Sequence, residues 1–312
     1  MTLVMLLLLP LLLPCAALLP ARRVVDRCSP QAALWTLTVS VLLLAAGTVT
    51  ALGTLALTGL LRIPAFAAFA ELVQPLRTFS LRLVLPLAAL AVGLLAIGAL
   101  ALGRCVVRQA AGLRTARSQA DRRPAAGDLC VVESPHPDAY ALPGRPPRIV
   151  VTTAMLRSLD AREREALFAH ERAHNAAGHH YFLVAAELAA HCHPALRPVR
   201  DVIGLAAERA ADETAAAAVG DRRVTAHAIA RAALASHAAE TSRPASTPAA
   251  TSGPVPQRVT ALLHPAAPGT PRAMPWIAAL LAACALLSCA SAATGALDVH
   301  QEIEVAQGEA AH

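Results

Sequence analysis

The segment EREALFAHERAHNAAGHH, residues 163–180, sets His170 and His174 four positions apart, with Glu171 directly after the first. On a helix, positions i and i+4 share a face, so both imidazoles can converge on one point while Glu171 projects beside them. Asp160 followed three residues later by Glu163 has the pattern of a capping box, and Gly178 is a stop signal. A helix is therefore predicted from just after Asp160 to about Ala176. Two histidines and a carboxylate so arranged suit metal-assisted hydrolysis. Zinc there takes the two imidazole nitrogens and a third protein ligand, and keeps one position open for water. Arg172, at a position usually uncharged in zinc peptidases, is expected at the solvent-facing edge of the helix.

Two residues compete for the third ligand. His180 lies ten residues after His170, where H-E-x-x-H-x-x-G-x-x-H wants its last histidine, but residue 177 is alanine and the glycine comes one place late. That class also needs a methionine turn, and the only later methionine in the motif's wake is Met274. The other candidate is Glu208 in ERAAD, 34 residues after His174, on a helix predicted from about 199 to 218 and ended by Gly220. Asp212 follows one turn later on the same face. The pattern favours Glu208 as ligand and Asp212 as acceptor of the free ring N–H of a ligating histidine, most simply His170.

Composition places this helix pair in a membrane context. Of 312 residues 56% are hydrophobic, and the mean hydropathy is +0.51, which is high for a soluble chain. Four uncharged apolar runs, about 3–20, 33–61, 81–103 and 274–297, reach the roughly 20 residues that a bilayer crossing takes. Arginines follow the first and third runs (Arg22, Arg23, Arg27; Arg104, Arg108, Arg114, Arg117, Arg122, Arg123), while Asp298, Glu302, Glu304 and Glu309 follow the fourth. The positive-inside bias then puts both termini outside the cell membrane and residues 104–273 in the cytoplasm. The first run is read as an uncleaved span, because no basic residue precedes it.

The net charge of +6 is thus explained by topology, and with 3% aromatic residues no direct nucleic-acid binding is expected. The seven cysteines contain no C-x-x-C pair, which argues against a disulfide framework or a cysteine-rich zinc site. Within 104–273, residues 129–134, 139–142 and 148–156 have strand character, with PGRPP as a turn between the last two, and helices follow. Residues 241–256 are a Pro/Ser/Thr/Ala linker. The expected fold class is an α-helical membrane protein of about four transmembrane helices with an inserted cytoplasmic α+β zinc-peptidase domain, residues 104–273. Three spans precede it in 1–103, a fourth occupies 274–297, and a short acidic tail covers 298–312.

AYALPG, RIVVTTAML, EREALFAHERAH and ERAAD, set between apolar runs, resemble the membrane-bound zinc metallopeptidases of the β-lactam sensor-transducer (antirepressor) type. Their peptidase core is shared with heat-shock membrane proteases and CAAX prenyl endopeptidases. The resemblance covers about residues 125–265 and the three-then-one arrangement of spans. It implies one zinc ion per chain held by His170, His174 and Glu208, Glu171 as general base and Asp212 as the acid behind the ligands. Ala139, Tyr140, Ala141 and Leu142 would form an edge strand that pairs with substrate. It further implies a protein substrate, often a DNA-binding repressor in that family; membrane quality control by the same chemistry is the alternative. A non-catalytic transmembrane signalling or scaffold protein with a peptidase-like fold is the rival from another class.

His191 and His193 flank Cys192, an H-C-H cluster read as an interhelical loop more readily than as a second metal site. His136, His227, His237 and His264 have no spacing partner. Tyr140, Tyr181, His179 and several arginines all qualify as transition-state donors, and the sequence does not choose among them. About 15 residues follow the fourth run and the chain has no lysine, so no covalent sensing of β-lactams is expected.

Overall fold

The computed structural model describes residues 2–63, 81–240, 255–264 and 275–307. Most of the segment between the second and third apolar runs, and most of the 241–256 linker, lie outside the described residues. Among the described residues, three helices are long and apolar enough to cross a membrane: α3 (Pro30–Leu60), α4 (Leu81–Asp121) and α11 (Pro275–Gln307). Ser29 caps α3, with its hydroxyl accepting from the Ala32 amide and Pro30 opening the first turn.

The first apolar run departs from the straight span expected over 3–20. It forms α1 (Thr2–Ala16) and α2 (Leu18–Arg27), bent by 47° at Ala17, and the count rises to four spans only if this bent pair is taken as one. The reason is proline. Pro20, in the first turn of α2, has no N–H for the carbonyl of Ala16 and interrupts the ladder at the bend. Pro14 likewise leaves the carbonyl of Pro10 without its donor, and the Thr48 hydroxyl of α3, shared with the Leu44 carbonyl at 2.9 Å, lies 3.1 Å from it. The fourth helix is longer than its apolar run and continues through the acidic residues to Gln307.

These helices run alternately. Leu7 of α1, Ala51 of α3 and Val299 of α11 pack together at one end. Toward the other end, Val24, Leu34, Leu37 and Ile277 share a core with Leu196 and Ile203. Gly47 of α3 meets α11 so closely that an added Cβ would lie 2.4 Å from Ser288 Oγ, the close approach that small residues permit between apolar helices. Leu90, Ile97 and Leu100 remain exposed along α4, as on a helix whose outer face meets lipid.

The sheet is small. Strands β1 (Leu129–Val132), β2 (Ala139–Leu142) and β3 (Arg148–Thr152) lie in the order β1-β3-β2, with β1 parallel and β2 antiparallel to β3. The third expected strand stops short of 156, because the Thr152 hydroxyl accepts from the Met155 amide and starts α5 (Thr153–Ser158). Helices α6 (Ala161–Ala177), α7 (His179–Cys192), α8 (Arg197–Val219), α9 (Arg222–Glu240) and α10 (Val255–Leu263) complete the chain. Val255 and Pro256, read as linker, open α10 instead, which anchors on buried Leu262.

Helix α8 packs on α2 and α3 through Ile203, Ala206 and Ala207, and the Arg209 guanidinium donates to the Val25 carbonyl. The helix that bears Glu208 and Asp212 is therefore built directly onto the apolar bundle.

Candidate metal centre

Helix α6 begins with the capping box read from its sequence: the Glu163 amide donates to Asp160 Oδ1 and the Asp160 amide to Glu163 Oε2, both at 2.9 Å. It ends at Gly178, whose φ of +63° is left-handed and turns the chain straight into α7. Between these ends His170 and Glu171 are buried, and His174 is partly so. Arg172 does lie on the exposed edge, where it makes a bidentate pair with Asp128 at 2.6 and 2.8 Å.

The structure brings His170, His174 and Glu208 together, with one ligand atom of each within 4.8 Å of the others. Nε2 of His170 lies 3.1 Å from Nε2 of His174. The Glu208 oxygens are 3.5 Å from each of these nitrogens. Tetrahedral zinc with bonds of about 2.0–2.1 Å separates its ligand atoms by about 3.3 Å, so these spacings and the N, N, O donor set fit that ion. His180 is not in this group; it lies in the wall of the cleft, its ring tilted against that of Tyr181.

Both histidines are oriented from behind. His170 Nδ1 is 2.9 Å from Asp212 Oδ1, a close charge contact that lies off the line of a hydrogen bond, and His174 Nδ1 is 3.0 Å from Nδ1 of His179. With His174 donating, the proton of His179 rests on Nε2, which is buried with no hydrogen-bond partner. Each ligating ring thereby presents a bare Nε2 toward the shared point.

Two lone pairs facing each other at 3.1 Å call for a cation between them. In the metal-free protein a proton fills that need. Burial alone would lower the pKa of His170, but the Asp212 and Glu208 carboxylates beside it prevail and push it up to about 10. His174, buried and next to that charge, is driven down to about 3. Burial would raise the pKa of Glu208, yet His170, Arg258 and His174 hold it well below the usual carboxylate range. Burial raises that of Glu171, against the opposing pull of His170 and of the Ala141 backbone amide.

Arg258 and His179 complete the centre, and sequence reasoning missed both roles. Arg258, on α10, donates from Nε and Nη2 to Asp212 at 2.8 and 2.7 Å, and its Nη1 lies 2.8 Å from Glu208 Oε2. Nothing in the local sequence marks it. It stands 46 residues after Asp212, just past a stretch with no packing period.

The centre opens into a cleft of about 1040 Å³ that also runs along β2. Strand β2 is one of the two edges of the sheet, the one that faces the cleft. Thr152 donates to the Asp138 carbonyl, so in the alternating antiparallel pattern the main-chain groups of Ala139 and Ala141 face away from β3, toward the open side.

Residues 105–199 match the model of the family described as peptidase family M48. The match supports a zinc metallopeptidase family; it contains His170, Glu171 and His174 and ends before Glu208. The sensor-transducer features of the resemblance find no support in it. Searches among curated proteins and among solved structures return no match.

Proposed function

We propose that this protein is a membrane-embedded zinc endopeptidase in which His170, His174 and Glu208 hold the metal and Glu171 is the general base. The observation that carries the reading is the triangle of two imidazole nitrogens and a carboxylate at 3.1–3.5 Å, with Glu171 beside it in the cleft. The match to peptidase family M48 supports the same chemistry.

Zinc, when bound, is a Lewis acid that acidifies water and polarises a carbonyl. The chain's own groups do the rest. Glu171, made more basic by burial once it is ionised, takes a proton from water and passes it to the leaving amine. Asp212 and His179 keep the Nδ1 protons of His170 and His174 in place, so that both Nε2 atoms stay available. Arg258 balances the two carboxylates. An extended protein substrate pairs with the outward main-chain groups of β2 at Ala139 and at the Ala141 carbonyl, the Ala141 amide being turned to Glu171, which lays one of its peptide bonds across the centre.

By the positive-inside bias, Arg22, Arg23 and Arg27 in α2 and the arginines along the end of α4 support a cytoplasmic side for the catalytic helices, with both termini opposite. The packing of Leu7 against Val299 supports a common side for the two ends. A cytoplasmic regulatory protein, such as a DNA-binding repressor, is the substrate class this topology admits; a misfolded membrane protein is the second.

The test uses the full chain purified in detergent and loaded with zinc, with casein as probe substrate. Glu171→Gln should keep the wild-type zinc content and lose turnover by at least about 10²-fold. Unchanged cleavage by this variant, or a wild type that neither holds zinc nor cuts, would favour the non-catalytic scaffold.

A further inference from the structure

We propose that Cys105, Glu187 and His191 form a second metal site, suited to a zinc-type divalent ion, where α4 joins the catalytic helices. Their ligand atoms lie within 4.8 Å of one another. Glu187 and His191 are one turn apart on α7 and share a face, while Cys105 comes from α4 just beyond its apolar stretch and is buried. The helices are held close here: a Cβ at Gly98 of α4 would be 3.6 Å from the His191 carbonyl oxygen.

Each side chain is prepared for ligation by a neighbour. The Glu187 carbonyl oxygen, 2.8 Å from His191 Nδ1, keeps the ring proton there and leaves Nε2 with its lone pair. Arg200 takes Oε2 of Glu187 at 2.9 Å, and Oε1 lies on the side of His191, 3.7 Å from the ring's Nδ1. Gln109 donates from its side-chain amide to the Cys105 sulfur at 3.3 Å and fixes its position on α4. Ligated carboxylates and imidazoles normally carry such outer partners.

The donor set decides the ion. One sulfur, one imidazole nitrogen and one carboxylate oxygen suit zinc with a fourth position left to water, and are too soft for magnesium or calcium. Binding forms a metal–sulfur bond and releases the thiol proton to solvent. The H-C-H cluster seen in the sequence is divided by this arrangement. His193 has both nitrogens engaged elsewhere, Nε2 with the Leu11 carbonyl and Nδ1 with the Ala195 amide.

The consequence is mechanical. Glu187 and Arg200 also line the cleft, so an ion here fastens one end of the cleft to the apolar helix that leads into it. Metal supply then sets how firmly the cleft wall is tied to the membrane bundle. The proposal does not depend on catalysis at the first centre, which contains no sulfur.

That difference provides the test. Cobalt(II) is added to the detergent-purified full chain, and the near-ultraviolet thiolate-to-cobalt band is recorded with the bound metal count. The wild type should show the band and bind two ions. Cys105→Ser should lose the band and one ion, while His174→Ala and Cys192→Ser should keep the band. His191→Ala and Glu187→Gln, which retain the sulfur, should both weaken the band at limiting cobalt and so guard against misfolding of the cysteine variant. A wild type without the band, a band that survives Cys105→Ser, or a band indifferent to both His191→Ala and Glu187→Gln would overturn the proposal.

Discussion

Replacing Arg258 by methionine keeps most of the side-chain stem and removes the cation. Asp212, with a side chain only 2% exposed, would then lose two hydrogen bonds at 2.7 and 2.8 Å, and Glu208 its contact at 2.8 Å. Breaking a buried ion pair from one side costs about 3–5 kcal/mol, because the surviving charge stays desolvated. Glu208 is 31% exposed and adds little, so the loss is set by Asp212. For a domain of this size each kcal/mol moves the midpoint by about 2–4 °C, which gives a drop of roughly 6–20 °C in the metal-free protein.

Zinc should recover part of this loss, since its charge beside Glu208 replaces some of what the guanidinium supplied. The assay is thermal unfolding of the detergent-solubilised chain by circular dichroism, once with chelator and once with zinc. Arg231→Met is the control. That arginine also pairs with a buried carboxylate, Glu163, but Glu163 keeps the Asp160 amide as donor and the arginine is itself 53% exposed, so its removal should cost no more than about 1 kcal/mol. A loss for Arg258→Met as small as the control, or equal losses with and without zinc, would refute the charge-balance reasoning.

Three further outcomes follow from the same geometry. His179→Ala should weaken zinc binding about 10–100-fold by equilibrium dialysis, with partial recovery in His179→Asn, whose amide oxygen can accept the His174 Nδ1 proton; unchanged affinity would make His179 a packing residue only. Arg172, hydrogen-bonded to Asp128, holds that carboxyl below its usual pKa. The pair is half exposed, so its contribution is at most about 1 kcal/mol; it is present above the ordinary carboxylate range near 4 and lost as the pH falls through the lowered value. Asp128→Asn should therefore be slightly less stable than the wild type at neutral pH and equal to it in acid, and a penalty that persists in acid contradicts this. For topology, Cys130 is fully buried and a poor reporter; cysteines placed at exposed Arg145 and Gln301 should react with an impermeant thiol reagent in intact cells only at 301, and labelling at 145 would reverse the orientation.

The helix ends were legible because their signals are local. Asp160 with Glu163, Gly178 and Gly220 each act within one turn of themselves, and the pair at His170 and His174 needs only a helical period. The bend at Ala17 was legible in principle, since Pro20 leaves the Ala16 carbonyl without its donor, but apolar content alone reads as one continuous span. His179 was masked by its neighbour. The spacing of His180 suggested a ligand, whereas the left-handed Gly178 starts a new helix and brings the ring of His179 to His174. Arg258 and Cys105 meet their partners across long loops and between separate helices, and no periodicity encodes such meetings. Burial of the α8 face against α2 and α3 was hidden for the same reason: small alanines on that face look alike toward solvent, lipid or another helix.

The measurement closest to the central claim is zinc affinity of the purified chain in a Cys105→Ser background, so that only the His170–His174–Glu208 centre is counted. Wild-type residues at that centre should bind one ion, Glu208→Ala should lose most of the occupancy, and His180→Ala should retain it. Loss with His180→Ala and retention with Glu208→Ala would contradict the account and assign the third ligand to the start of α7.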